Sequence, residues 1–420
     1  AGFLVRQVVG IHGLMQLTQN NRRIMKETTT NRIFRTVMVL TAFLLTFIPV
    51  KANDSAYFTS GNQLIPLGET NISVKKEILS ITIGDDSYAD VDVYYEFYNP
   101  DSTRTILMGF EADPPYGAVS FEPTKTLEHP FIHGFTVSIN GTPLSYSNAI
   151  TQPMKDGKIH PINMQEWNFF EEGAVVINKK DSDQYQNYSF VYYFNATFKP
   201  GINIIHHTYR YEMSASVVNS YNISYKLSPA LRWSNHQIDD FTLRLIAGSK
   251  EKDFIVCGKT FSPEKTKVTY GKGKSRNDTY KDYIQADSLS DYNEATLPCI
   301  EVALRGGSIE WHFANFKPDE ELQIYSADRK YSLDNDYNPY NGKNIGRYYD
   351  PAYGPFFEQK DYNSKERRII RNLPYASRGY VFKNKKLKAY FSKLWWYMPD
   401  SSWQPSTNDF NKEERNMIKK

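Results

Sequence analysis

Val91-Asp92-Val93-Tyr94-Tyr95-Glu96-Phe97-Tyr98 is the stretch that decides the fold: Val91, Val93, Tyr95 and Phe97 alternate with Asp92, Tyr94, Glu96 and Tyr98. Successive side chains of an extended strand point to opposite faces, so a period of two buries one face and leaves the other to water. The pattern recurs upstream, where Leu79, Ile81 and Ile83 alternate with Ser80 and Thr82 before Gly84-Asp85-Asp86 marks a turn. Downstream, Phe135, Val137 and Ile139 run into Asn140-Gly141, a pair that tolerates positive φ and favours a two-residue hairpin. Ser189–Phe198, Ile202–Met213, Asn222–Leu227, Phe241–Ile246 and Ser308–Phe313 read as further strands, with Pro200-Gly201 punctuating two of them.

No segment before residue 360 sustains a 3.6-residue period beyond two turns. The 31 Tyr, 25 Phe and 6 Trp among 420 residues favour strands as well. The expected fold class is therefore mainly β. An antiparallel β-sandwich region spans 53–327, with a second β layer or subdomain after residue 250. A linker rich in Asn, Asp, Gly, Pro and Tyr follows at 328–360, and a small, mostly α domain occupies 361–420. Residues 264–295, including Gly271-Lys272-Gly273-Lys274, read as a long polar insertion loop between the two cysteines. A hydrophobic content of 40% with 23% charged residues excludes a disordered or collagen-like chain. Two cysteines exclude a disulfide-dense mini-protein and a Cys-built zinc ribbon.

Met25 opens a segment with Lys26, Arg32 and Arg35, followed by the uncharged run Thr36–Val50 and then Val50-Lys51-Ala52. A basic start, an apolar run and an A-x-A-like site are the three parts of a secretory signal peptide, here 25–52. The apolar run falls short of the roughly 20 residues a membrane-spanning helix needs, and Pro49 and Asn53-Asp54-Ser55 also favour cleavage over anchoring. The expectation is export to the periplasm or beyond, cleavage near Ala52, and no stable transmembrane segment afterwards. Residues 1–24 read as an upstream extension without structure.

Cleavage would change the charge. The whole chain is +3, but residues 1–52 carry seven basic groups and one acidic, so the mature chain is −3. Within it, 53–360 stand at −11 and 361–420 at +8, two parts of opposite sign that attract each other. In an oxidising compartment Cys257 and Cys299 are candidates for one disulfide across roughly 40 residues; two separately buried thiols are the alternative.

Arg371-Asn372, Tyr375-Ala376, Gly379-Tyr380, Phe382, Leu387, Tyr390-Phe391, Trp396-Tyr397, Pro399, Glu414 and Asn416 are spaced as in a known module, and 361–420 resembles the YARHG domain of exported bacterial proteins. The named motif is altered: Tyr375-Ala376-Ser377-Arg378-Gly379 stands where the family has Tyr-Ala-Arg-His-Gly, so Arg378 would supply the cation one position later. Residues 53–327 more loosely resemble a β-rich family of exported bacterial proteins without assigned activity. The carriers there are Tyr94–Asn99, Phe135–Pro143, His207–Tyr211, the segment around Trp233, and Ile309–Pro318.

Chemistry is sparse. His206-His207 sit in a strand and face opposite ways, so they cannot chelate one ion; His133, His160, His236 and His312 are scattered. Asp334, Asp336 and Asn338 mimic the start of a calcium loop, but Pro339 and Ile345 stand where it needs Gly and Glu. Glu171-Glu172 and Asp239-Asp240 are adjacent carboxylates, which point apart on a strand, whereas glycoside hydrolysis needs two that converge. No catalytic residue, metal site or cofactor is expected.

The suggestive constellation is terminal. Lys383, Lys385, Lys386, Lys388 and Lys393 surround Tyr390, Phe391, Trp395, Trp396 and Tyr397. Phe382, Leu387, Phe391 and Trp396 are expected to form the module's core. Arg378, Lys385, Lys386, Trp395 and Trp403 are left as candidate binding residues. The expected function is non-enzymatic binding or structure in the cell envelope, the module contacting an anionic envelope component or a protein partner but not nucleic acid. The alternative is an enzyme acting on envelope glycans or peptides from a site in the β-sandwich region.

Overall fold

The computed structural model describes residues 60–61, 64–67, 71–115, 127–153, 158–169, 175–215, 221–248, 251–281, 296–327, 349–350, 354–355 and 363–419. The signal-peptide segment, Glu171-Glu172 and the Asp334–Asn338 run lie outside them. The described chain is mainly β with a small helical region at its C-terminal end.

Strands β1 (Ser60–Gly61), β2 (Leu64–Pro66), β3 (Ser73–Ile83), β4 (Tyr88–Asn99) and β5 (Arg104–Ala112) open the body. They are followed by β6 (Ile132–Ile139), β7 (Thr142–Pro143), β8 (Ser147–Thr151), β9 (Trp167–Phe169), β10 (Val175–Asn178) and β11 (Tyr185–Asn187). Next come β12 (Ser189–Phe198), β13 (Gly201–Glu212), β14 (Asn222–Tyr225) and β15 (Ile238–Ile246). The body closes with β16 (Glu251–Cys257), β17 (Thr266–Lys281), β18 (Thr296–Phe316) and β19 (Leu322–Ser326). The quoted alternation is seen directly: Val91, Val93, Tyr95 and Phe97 of β4 are buried while Asp92 and Tyr98 are exposed. Asn140 and Gly141 both take positive φ, 50° and 79°, in the turn joining β6 to β7.

A 12-stranded sheet runs in the order β1-β14-β19-β16-β18-β15-β3-β4-β13-β6-β7, with β17 added on β18. A 4-stranded sheet, β2-β5-β12-β8, packs on it. The layers meet through aromatic rings: Phe110 of β5 lies 4.9 Å from Tyr209 of β13, and Tyr192 of β12 lies 5.0 Å from Phe135 of β6.

Two expectations are corrected. The large sheet is mixed rather than antiparallel, because β15 lies parallel to β3 and β1 parallel to β14. The supposed insertion loop is in its first half a strand: β17 pairs along almost the whole length of β18, from Thr266 opposite Trp311 to Lys281 opposite Thr296. The opposite edge of β18 serves β15 beyond Gly307 and β16 up to Arg305. At this change of partner Gly306-Gly307 and Gly271 approach so closely that a Cβ on Gly307 would sit 2.1 Å from the Tyr270 carbonyl oxygen. Glycine is therefore required at this bulged crossing.

The C-terminal region holds α1 (Ser364–Ser377), α2 (Lys385–Phe391) and α3 (Lys412–Lys419). Ile369, Ile370, Leu373 and Ala376 form the buried stripe of α1. They share a core with Phe382, Leu387, Tyr390, Phe391, Trp396 and Ala303 of β18. Phe382, Leu387, Phe391 and Trp396 are thus core residues, as their type and spacing imply.

Candidate functional site

The altered motif is a helix ending. The Gly379 N–H donates to the Ala376 carbonyl at 2.9 Å and the Tyr380 N–H to the Tyr375 carbonyl at 3.0 Å. This reciprocal pair, closed by a residue at positive φ, is the Schellman C-cap of α1. Gly379 supplies that conformation at φ 82°, and the Tyr375 and Tyr380 rings, 5.8 Å apart, make the apolar contact that accompanies such caps. Ala376 and Ser377 are fully buried, and the Ser377 hydroxyl donates to the Pro374 carbonyl at 2.9 Å.

Arg378 is committed inside the module. Its guanidinium holds both Glu414 oxygens, at 2.9 and 2.8 Å, donates to the Pro374 carbonyl at 2.9 Å and lies 4.8 Å over the Phe410 ring. Glu414 in turn completes a capping box for α3: it accepts from the Asn411 N–H at 3.0 Å while its own N–H donates to the Asn411 side chain at 2.8 Å. One ion pair therefore joins the end of α1 to the start of α3. Trp403, half-buried, adds edge contacts to Tyr380 and Phe410.

Among the described residues, cations of the body seat the module on β17 and β18. Lys274 donates to the Trp395 and Tyr397 carbonyls, both at 2.9 Å, and Arg305 to the Trp396 carbonyl at 3.1 Å. Burial, helped by the Arg305 charge, lowers the Lys274 pKa. Arg305 also pairs with the buried Asp253 at 2.8 Å. Arg276 holds Glu301 at 2.6 Å and lies 4.4 Å over the Trp395 ring. Lys272 meets Asp400 at 3.0 Å, and Asp400 is held down to about 2 by the Ser402 hydroxyl first and by Lys272 next. Attraction between an acidic body and a basic tail does not describe this contact, because here the body's cations meet the tail's carbonyl oxygens, the Trp395 ring and the Asp400 carboxylate. In the sequence Lys272, Lys274 and Arg276 read only as part of a polar loop, and nothing marked Arg305, because the groups they meet in the module lie more than 90 residues away.

What the module leaves outward is lysine. Lys383, Lys385, Lys386, Lys388 and Lys393 are all exposed, while Leu387, Tyr390 and Phe391 between them are buried. Asn384 caps α2 by accepting from the Lys386 and Leu387 N–H groups, which fixes Lys385 and Lys386 on the first turn. The module's acidic residues with described side chains are committed elsewhere: Asp400 to Lys272 and Ser402, Asp409 to the Ser406 N–H, and Glu414 to Arg378.

In the body, the outward His206 meets Asp92 at 3.0 Å and the outward His312 meets Asp240 at 2.6 Å, both exposed. Asp240 also binds Lys76 at 3.0 Å, whereas its neighbour Asp239 binds Lys75 at 2.7 Å, so the adjacent carboxylates serve separate ion pairs. His207 and His129 are fully buried, and burial pushes each imidazole down to about 3. Among the described residues no group of three or more His, Cys, Asp or Glu is placed to hold a metal. Cys257 and Cys299 are directly opposite each other on β16 and β18.

The family model of the YARHG domain matches residues 345–420. No curated protein matches the chain. In shape the chain is similar to a "putative nutrient binding protein" of Legionella pneumophila, at 18% identity and TM-score 0.43, covering 87% of this chain and 99% of that one. It is similar to an M1 zinc metallopeptidase of Deinococcus radiodurans at 9% identity and TM-score 0.22, over 58% of this chain and 43% of that one. Baculovirus P35 follows at 9% identity and TM-score 0.21, over 63% and 98%. No helix among the described residues is long and apolar enough to cross a membrane.

Proposed function

We propose that this is an exported, non-enzymatic binding protein whose C-terminal module holds a polyanionic component of the cell envelope on its lysine face, with the β body as the platform. One observation carries the reading: the module buries most of its aromatic residues and commits its described carboxylates to Arg378, the Ser406 N–H, Ser402 and Lys272, yet turns five lysines outward. An exposed lysine cluster produces a local positive field that screens with salt, as binding to phosphate or carboxylate polymers does. The leader-like segment at 25–52 and the match to a domain of exported proteins support the compartment.

The test uses the full chain with two probes, vesicles rich in anionic lipid and a soluble anionic polysaccharide, each at low and high salt. Binding to at least one probe that weakens with salt, and falls at least tenfold in a K383Q/K385Q/K386Q/K388Q variant, supports the reading, since each lysine near an anionic surface contributes about 1 kcal/mol. Which probe binds identifies the source of the charge. Binding to neither, or equal binding by the variant, overturns it. The substituted side chains are exposed, so the variant keeps the module's core.

A further inference from the structure

We infer that Cys257 and Cys299 are joined by a disulfide in the exported protein, and that this bond clamps β18, one of the two strands on which the C-terminal module is seated, to β16. The inference rests on the exported location proposed above and otherwise on sheet geometry.

The two residues face each other across the antiparallel pairing of β16 and β18. Opposed residues in such a ladder alternate between hydrogen-bonded and non-hydrogen-bonded pairs. The next pair, Gly258 opposite Pro298, is joined by the Gly258 N–H donating to the Pro298 carbonyl at 2.9 Å. Cys257 and Cys299 therefore occupy a non-hydrogen-bonded pair. There the Cα atoms lie about 4.5 Å apart and the side chains lean together, inside the range a disulfide spans. Both residues are buried, and they form a small apolar cluster with Ile255, Ala327 and Tyr325, separate from the main core.

The bond would act on the module's seat. Cys299 lies on β18 between Cys257 on one side and Asp278 of β17 on the other. The chain closed by the bridge contains all of β17, and with it Lys272, Lys274 and Arg276, while Arg305 stands on β18 beyond Cys299. Fixing β18 to β16 anchors the strand that carries Arg305 and along which β17, with its three cations, is paired.

Formation requires an oxidant, here the exchangeable disulfide of a thiol oxidoreductase or oxidised glutathione. One cysteine thiolate attacks a sulfur of that disulfide, forming a mixed disulfide and releasing one thiol of the oxidant. The second cysteine thiolate then attacks the protein's sulfur in the mixed disulfide, forming the Cys257–Cys299 bond and releasing the second thiol. Two thiol protons and two electrons leave the protein, and the oxidant is reduced to two thiols. Since both positions are buried in the finished sheet, the exchange takes place on the folding chain.

The experiment has two arms read by intact mass and peptide mapping after alkylation in denaturant without reductant. In the first, the full chain is harvested from the exported fraction; in the second, it is made reduced and refolded in an equimolar oxidised and reduced glutathione buffer. A Cys257–Cys299 linked peptide in both arms, with two alkyl groups gained only after reduction, is the expected result. Full alkylation without reductant in the refolding arm overturns the assignment. A bridge in that arm that is missing from the harvested protein overturns the exported location instead. As an independent readout, a C257S/C299S variant should melt roughly 5–15 °C below the oxidised protein and close to the reduced one. Equal melting of all three removes the clamp.

Discussion

The guanidinium of Arg276 lies 4.4 Å from the Trp395 ring centre while its Nη2 holds Glu301 at 2.6 Å. Glu301 is a buried carboxylate in the first third of β18, so the cation that neutralises it also caps the module's half-buried tryptophan. A cation over an indole face contributes about 0.5–2 kcal/mol depending on desolvation. In an E301Q background, which removes the charged partner, a double-mutant cycle of R276A and W395A should give a coupling in that range by urea unfolding. Zero coupling would mean that the ring merely shields the strand.

Removing Arg378 should be far more damaging than removing a surface cation. The Glu414 carboxylate is buried, and both of its oxygens accept from Arg378. Truncating one partner of a buried pair leaves an uncompensated charge, a loss of about 3–5 kcal/mol. R378A should therefore release α3, read as lost amide protection over 412–419. R378A/E414Q should recover part of the stability. R378H, which places there the residue the family motif carries, should recover more as pH falls through the imidazole range, where the ring becomes a cation beside Glu414.

The legible part of this fold was the part with one face in the core. β4, β12 and β13 alternate because one side of each packs against rings such as Phe110 and Phe135, and their bounds match the sequence reading within a few residues. β17 was hidden because it pairs with β18 alone and is largely exposed, so Lys267, Lys272, Lys274 and Arg276 carry no apolar period. The parallel pairing of β15 with β3 leaves no local trace, because its partners are over 150 residues apart. At the module, the core followed from aromatic spacing, but the job of Arg378 did not. Its partner Glu414 lies 36 residues away, and only the folded C-cap brings the two together.

Gly379 should be the least replaceable residue of the altered motif. Its φ is 82°, a conformation disfavoured for any side chain, and a Cβ there would lie 2.5 Å from the Met398 carbonyl oxygen. The Gly379 carbonyl meanwhile accepts from the Asp400 N–H at 2.7 Å, which ties the C-cap to the segment that Lys272 holds. G379A should cost about 2–4 kcal/mol from left-handed strain and overpacking together. In contrast S377A, which removes one hydroxyl donating to a helix carbonyl, should cost about 1 kcal/mol. Chemical unfolding of both variants checks the order; a G379A no worse than S377A would show that the chain can re-cap α1.

Stability should fall as pH drops from 6.5 toward 4.5, and two histidines set that window. His129 is buried with both ring nitrogens assigned: Nδ1 accepts from the Phe131 N–H at 3.1 Å, so Nε2 carries the proton and donates to the Asp113 carbonyl at 3.1 Å. His207 is buried among the Tyr95, Phe110, Phe135 and Tyr209 rings, and among the described residues neither of its ring nitrogens has a hydrogen-bond partner. Burial holds both down to about 3, with His133 and His206 as the nearby like charges. Above pH 6.5 folded and unfolded imidazoles are both neutral and contribute no pH dependence. Below it the unfolded chain takes up protons that the folded chain refuses, so stability falls by about 1.4 kcal/mol per pH unit for each histidine until the folded value is reached. Carboxylates held low by their partners, such as Asp240 and Asp400, lose their contribution only below about pH 4, which separates the two effects. Urea midpoints between pH 7 and 4.5 should show the two-proton slope, and H207F, which keeps a ring among rings, should halve it. An unchanged slope in H207F would mean that His207 becomes protonated inside the fold.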